Sequence, residues 1–159
     1  DVGRFLTALY ITLTQTPTSV TITLCSAGHP PALLCTADGL VSEIGHTGSI
    51  IGVFPSAELG LRETRIRLLP GDTLLLYTDG VTEARRGAEF YGTERLGHLL
   101  HTSRELDAAA LGARIEQAVV AFSGGELRDY TSVLVWRVPP RRPAEATALL
   151  GGQRTVEHH

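Results

Sequence analysis

Residues 70–85 read PGDTLLLYTDGVTEAR, and the reading of this stretch decides the fold. Pro70-Gly71 is a turn signal: proline pre-sets its own φ, and glycine tolerates a positive one. Leu74, Leu75, Leu76 and Tyr77 then follow without a polar break, as in a strand covered on both faces. The run stops at Asp79-Gly80. A carboxylate at the end of a buried strand, followed by a residue that lets backbone come close, is a place to hold a cation. An isolated Asp-Gly pair is also an ordinary turn. The surrounding chain has to decide between these readings.

Upstream, residues 5–14 alternate, with Phe5, Thr7, Leu9, Ile11 and Leu13 on one face. β-Branched and aromatic residues fill the segment, so it reads as a strand. Residues 19–26 alternate in the same way, with Val20, Ile22 and Leu24 together, and the two segments form a hairpin around Pro17. Ala27-Gly28-His29-Pro30-Pro31 breaks the pattern, because two prolines remove two donors and impose an extended path. Residues 32–36 and 40–44 form a second hairpin around Ala37-Asp38-Gly39. Residues 50–54 are short and apolar. Residues 64–69 alternate, with Ile66 and Leu68 inward, and lead into the Pro70 turn.

Downstream of Asp79-Gly80, which is read as an acidic loop, the period changes. Thr93 is positioned to cap a short helix over residues 94–100, and Asp107 a longer one over residues 108–122. Leu111, Ile115, Val119 and Phe122 make the apolar stripe of the second helix, and Gly124-Gly125 ends it. Residues 132–138 read as a last buried strand. Residues 139–159 are rich in Pro, Arg and Ala and form a tail, and its terminal His158-His159 look like a tag remnant. Hairpins followed by two helices and a strand make an α+β domain with a largely antiparallel sheet.

The chain has 159 residues, enough for one domain with a core, and a formal net charge of −3. All of its basic residues are Arg. This balance offers no footprint for nucleic acid or an anionic membrane. No stretch has the ~20 apolar residues a membrane helix needs, and no signal peptide opens the sequence. Cys25 and Cys35 lack metal-type spacing and read as reduced core residues, so a cytoplasmic location is expected.

A partner for Asp79 is found in Asp129, which precedes the last apolar strand. If the two strands are neighbours, both carboxylates meet in one pocket. Carboxylates that close repel unless a cation lies between them. An oxygen-only ligand set suits Mg²⁺ or Mn²⁺. Such metals activate water for attack on phosphorus. Read alone, Asp129 is simply a loop residue before a strand.

Taken together, the 70–85 stretch, Ala27-Gly28-His29-Pro30-Pro31 and the strand after Arg128-Asp129 resemble the metal-dependent PPM-type serine/threonine phosphatases, in their bacterial SpoIIE/RsbU-like branch. Arg4-Phe5-Leu6-Thr7-Ala8, Gly52-Val53-Phe54 and Phe90-Tyr91-Gly92-Thr93-Glu94-Arg95-Leu96 also match, in order. The resemblance covers residues 4–138 and implies a PPM-phosphatase-like sandwich of two antiparallel β-sheets flanked by helices. It implies Asp79 and Asp129 as metal ligands for Mn²⁺ or Mg²⁺, two ions in a complete domain. Gly80 and His29 are accessory candidates; His29 is first a hydrogen-bonding residue near the site. The branch usually carries a second Asp after the ligand, where this chain has Tyr130.

The family also carries an upstream Asp-Gly-type motif whose Asp bridges the two metals. Asp1-Val2-Gly3 lies too close to Arg4-Phe5-Leu6-Thr7-Ala8 to be it. Residues 1–138 are therefore expected to be the C-terminal part of the domain, N-terminally incomplete, with open strand edges that a second copy, as a homodimer, would cover. The resemblance implies hydrolysis of phosphoserine by a metal-bound hydroxide. It implies as substrate a phosphorylated STAS-type anti-sigma-factor antagonist in a stress-type cascade. The alternative is a catalytically incomplete phosphatase-fold module that binds a partner or senses a ligand.

Overall fold

The computed structural model describes residues 4–17, 19–53, 60–125 and 130–140. Nine strands and three helices follow one another among them. The strands are β1 (Ala8–Gln15), β2 (Val20–Ala27), β3 (Ala32–Cys35), β4 (Val41–Ile44), β5 (Glu63–Leu68), β6 (Thr73–Tyr77), β7 (Arg85–Arg86), β8 (Glu89–Phe90) and β9 (Val133–Arg137). The helices are α1 (Asp79–Thr82) and α2 (Gly92–Thr102), both after β6, and α3 (Ala108–Phe122) before β9. One antiparallel sheet has the order β1-β2-β5 and the other β4-β3-β6-β9. The antiparallel α+β character is that expected from the strand pattern, and the two-sheet sandwich is that implied by the family resemblance.

Strand β6 explains the unbroken apolar run. Its residues alternate between two cores, and all five are buried. Leu74 and Leu76 face the other sheet and pack with Val20, Ile22, Ala32, Leu68 and Val138. Leu75 and Tyr77 face the helices, among Leu96, Leu100, Leu111, Ile115 and Val119. Each such side chain contributes roughly 1.5–3 kcal/mol on burial. The Pro70-Gly71 turn carries the chain from one sheet to the other. There the buried Asp72 carboxylate accepts the backbone N–H groups of Leu69 (2.8 Å) and Ala37 (3.0 Å).

The 5–14 strand starts later than its alternation indicates. Leu6 makes only an isolated bridge to Ile51, and the continuous strand begins at Ala8. Asp107 caps α3 as expected, accepting the Ala110 N–H at 2.8 Å. Thr93 does not cap α2: the helix begins at Gly92, with Tyr91 at the cap position and no side-chain cap bond. Backbone pairing overrode the side chain there, because Tyr91 N–H is held by the Ala84 carbonyl at 2.8 Å. The acidic loop is a four-residue helix, α1. It leads into a small β7-β8 hairpin that the hydrophobic pattern does not mark, both strands being exposed.

The last strand is not fully buried. Leu134 and Trp136 of β9 stay 55% and 38% exposed, although they pair with Leu76 and Leu74 of β6. Strand β9 lies at a sheet edge, and an apolar sequence alone cannot distinguish an edge position from a central one. Phe54, Asp129 and most of the 139–159 tail lie outside the described residues. No helix among the described residues is long and apolar enough to cross a membrane.

Candidate metal centre

Antiparallel pairing sets the geometry. Tyr77 of β6 is opposite Val133 of β9, so the C-terminal end of one strand meets the N-terminal end of the other. Three hydrogen bonds continue the contact past the last ladder pair. Thr78 N–H donates to the Ser132 carbonyl at 3.0 Å. The Thr78 hydroxyl donates to the Tyr130 carbonyl at 2.8 Å and accepts the Ser132 N–H at 3.0 Å. Thr78 thus fastens the two strand ends immediately before Asp79.

Gly80 is where the two segments come closest. A Cβ on this residue would stand 2.6 Å from the Tyr130 carbonyl oxygen, a contact no ordinary side chain tolerates. The glycine is needed for this approach and not for its φ, which is not positive. Its carbonyl accepts the Thr131 hydroxyl at 3.4 Å. Asp79 opens α1 exposed to solvent, and its Oδ1 accepts the Gly80 N–H at 2.9 Å. The carboxylate is thereby oriented by its own backbone at the strand end.

Strand β3 runs antiparallel to β6 with Leu33 opposite Leu75, so the segment before β3 lies at the same sheet end as Asp79. That segment holds His29. Its Nδ1 lies 3.1 Å from the Pro30 carbonyl, and its N–H donates to the Ser26 hydroxyl at 3.2 Å. The same hydroxyl is 3.0 Å from the carbonyls of His29 and of Thr47. These bonds describe a histidine held by its local loop. Glu83, at the C-cap of α1, donates its N–H to the Asp79 carbonyl at 2.7 Å.

Of the residues singled out from sequence, Asp79, Gly80 and His29 fall at this end of the β4-β3-β6-β9 sheet. Asp129 lies outside the described residues. Among the described residues no three His, Cys, Asp or Glu side chains cluster as a metal site. What is described fits a hard divalent cation in kind: an acceptor-only carboxylate and backbone carbonyls, with no sulfur ligand. Sequence reading missed Thr78. A threonine directly before Asp-Gly is the signal, because its hydroxyl can both donate and accept across a strand pair.

Cys25 and Cys35 are free thiols. Burial pushes the Cys35 thiol above its ordinary range, against the opposing influence of Arg104. His101 ties α2 to the β3-β4 turn, its Nδ1 lying 2.7 Å from the Gly39 carbonyl.

The comparisons with known proteins bear on the family and the fold. The Stage II sporulation protein E (SpoIIE) family matches residues 1–139. Protein IcfG of Synechocystis sp. is 30% identical over 115 residues, which are 70% of this chain and 18% of that protein. The phosphatase domain of SpoIIE from Bacillus subtilis superposes with a TM-score of 0.63 at 15% identity, over 88% of this chain and 60% of that one. The RsbU and RsbW domains of Rv1364c from Mycobacterium tuberculosis give a TM-score of 0.58 at 27% identity, over 76% of this chain and 34% of that one. The chain therefore spans less than two thirds of each of these relatives. Its two antiparallel sheets, the Asp79-Gly80 strand end and the matched residues lead to one conclusion: the chain belongs to the SpoIIE family and has the fold of the PP2C-type phosphatase domains.

Proposed function

We propose that this chain supplies the metal-holding end of a Mn²⁺- or Mg²⁺-dependent protein serine/threonine phosphatase, with Asp79 and Asp129 as ligands. The observation that carries the reading is the junction of Thr78 and Gly80 with Tyr130. Asp129 directly precedes Tyr130 in the sequence. On this reading a divalent cation held by both carboxylates offsets their repulsion.

A cation held there supplies positive charge that activates water and neutralises phosphoryl oxygens. The chain's own residues do the rest. Thr78 holds the two strand ends in register, and the Gly80 N–H fixes the rotamer of Asp79. Gly80 keeps the cleft free of a side chain beside the Tyr130 carbonyl. The substrate is a phosphoserine on a regulatory protein, for which an anti-sigma-factor antagonist of STAS type is the candidate.

Hydrolysis of p-nitrophenyl phosphate with and without Mn²⁺, in the chain and in a longer form carrying the upstream segment, tests the proposal. Asp79→Asn is expected to remove nearly all metal-dependent turnover. Full activity in that variant sinks the assignment. Metal-independent folding with no turnover in either form favours the second reading, a partner-binding module, for which Tyr130 in place of a second Asp is the supporting observation.

A further inference from the structure

Beyond α1 the chain forms a cluster that the metal centre does not use. Arg85 stacks on Phe90 with its guanidinium carbon 4.3 Å from the ring centroid. Arg86 and Arg95 lie over Phe122 at 4.7 and 5.0 Å. Phe122 is itself held edge-on by Tyr91, with centroids 5.4 Å apart and planes at 78°. Two guanidinium groups thus share the Phe122 ring and a third lies over Phe90, in a chain whose formal net charge is −3.

One carboxylate answers them among the described residues. Glu89 pairs with Arg86 at 2.9 Å and with Arg95, and these cations hold the Glu89 carboxyl below its usual range. Arg95 also donates to the carbonyls of Phe90 (2.9 Å) and Tyr91 (3.0 Å). Arg86, Glu89 and Arg95 therefore build the hairpin, and among the described residues one carboxylate faces three guanidinium groups. Arg85 is exposed and has no carboxylate partner among the described residues. A cavity of about 290 Å³ opens between Arg85, Arg86 and the Phe122–Gly124 end of α3.

We propose that this arginine hairpin docks an acidic segment of the protein substrate, flanking the phosphorylated residue. The inference rests on the phosphatase reading for its role in turnover. Stacked guanidiniums are pre-organised, so less side-chain entropy is lost when a carboxylate is bound. Arg85 follows Asp79 by six residues, part of them helical, which keeps the two within about 20 Å. An extended peptide covers that distance in about six residues. Acidic side chains within that span of the phosphoserine reach the hairpin while the phosphate is at the metal centre.

The test has a binding arm and a turnover arm. In the first, anisotropy of a fluorescein-labelled hepta-glutamate peptide is titrated with the chain, with hepta-lysine as control, at low and at physiological salt. Saturable binding that weakens with salt is expected, with about a tenfold loss in Arg85→Glu and near-full retention in Arg85→Lys. No binding by the wild-type chain overturns the proposal, as does equal binding by Arg85→Glu. A doubled mass in sedimentation that Arg85→Glu abolishes overturns it too, because a second copy would then occupy the cluster.

In the turnover arm, the longer form is given phosphopeptides with acidic or neutral flanks. Arg85→Glu is expected to lower kcat/KM about tenfold for the acidic peptide alone and to leave p-nitrophenyl phosphate turnover unchanged. Equal kcat/KM for the acidic peptide in variant and wild type overturns the docking. Loss of p-nitrophenyl phosphate turnover in the wild type would refute the phosphatase reading instead, and the binding arm would still decide whether acidic segments dock.

Discussion

The hydroxyl of Thr78 donates to the carbonyl of Tyr130 at 2.8 Å, across 52 residues of sequence. This bond closes the end of the β6-β9 pair and sets the chain direction on both sides of the candidate centre. Thr78→Val removes it together with the bond accepted from Ser132. A loss of about 1 kcal/mol in urea unfolding is expected, with weaker Mn²⁺ binding by calorimetry. Thr78→Ser, which keeps the hydroxyl, should retain both.

Gly80 tests the same junction from its other side. An alanine there has no φ penalty but meets the Tyr130 carbonyl backbone, which cannot rotate away. Gly80→Ala is expected to cost about 1–3 kcal/mol and to depress metal-dependent turnover. Unchanged melting temperature and activity would mean that the two segments separate readily.

Asp107 offers a test remote from the centre. Its carboxylate accepts the Ala110 N–H at the start of α3, whose Leu111, Ile115 and Val119 fill the helix-facing core. Asp107→Ala should destabilise the fold by about 1 kcal/mol without changing how the remaining protein binds Mn²⁺.

Cys35 carries the pH prediction. Desolvation raises the thiol above its ordinary value of 9.0, so the buried group stays neutral where an unfolded one ionises. Its contribution is complete below that value and is lost as pH rises toward the folded-state pKa. Unfolding free energy followed from pH 7.5 to pH 10 should fall more steeply in the wild type than in Cys35→Ala, roughly from pH 9 upward. Native Cys35 should also react more slowly with a thiol reagent than half-buried Cys25.

Several features were legible because they depend on local periodicity or local capping. The β1-β2 and β3-β4 hairpins follow from alternation and turn chemistry. Helix α3 follows from the Asp107 cap and a 3.6-residue stripe, and β6 from an apolar run too uniform to have a wet side. Asp79-Gly80 was visible as a strand end with a carboxylate and a small residue. The start of α2 was not legible, because Tyr91 is held by the distant Ala84 carbonyl and not by a side-chain cap. Strand β9 read as buried although it lies at an edge, since burial depends on neighbours and not on the strand's own residues.

By itself, the sequence determined the longer strands and the two longer helices, and which carboxylate stands at the end of the most buried strand. Hydrogen bonding within a segment and the period of its apolar residues are enough for that. Only the tertiary structure decided that β6 and β9 are adjacent, that Gly80 is required by the Tyr130 carbonyl, and that Arg85, Arg86 and Arg95 gather around Phe90 and Phe122. Apart from Arg85 on Phe90 within one hairpin, those are contacts between residues far apart in the chain. They follow from the packing of two sheets and two helices around shared cores, which no local pattern encodes.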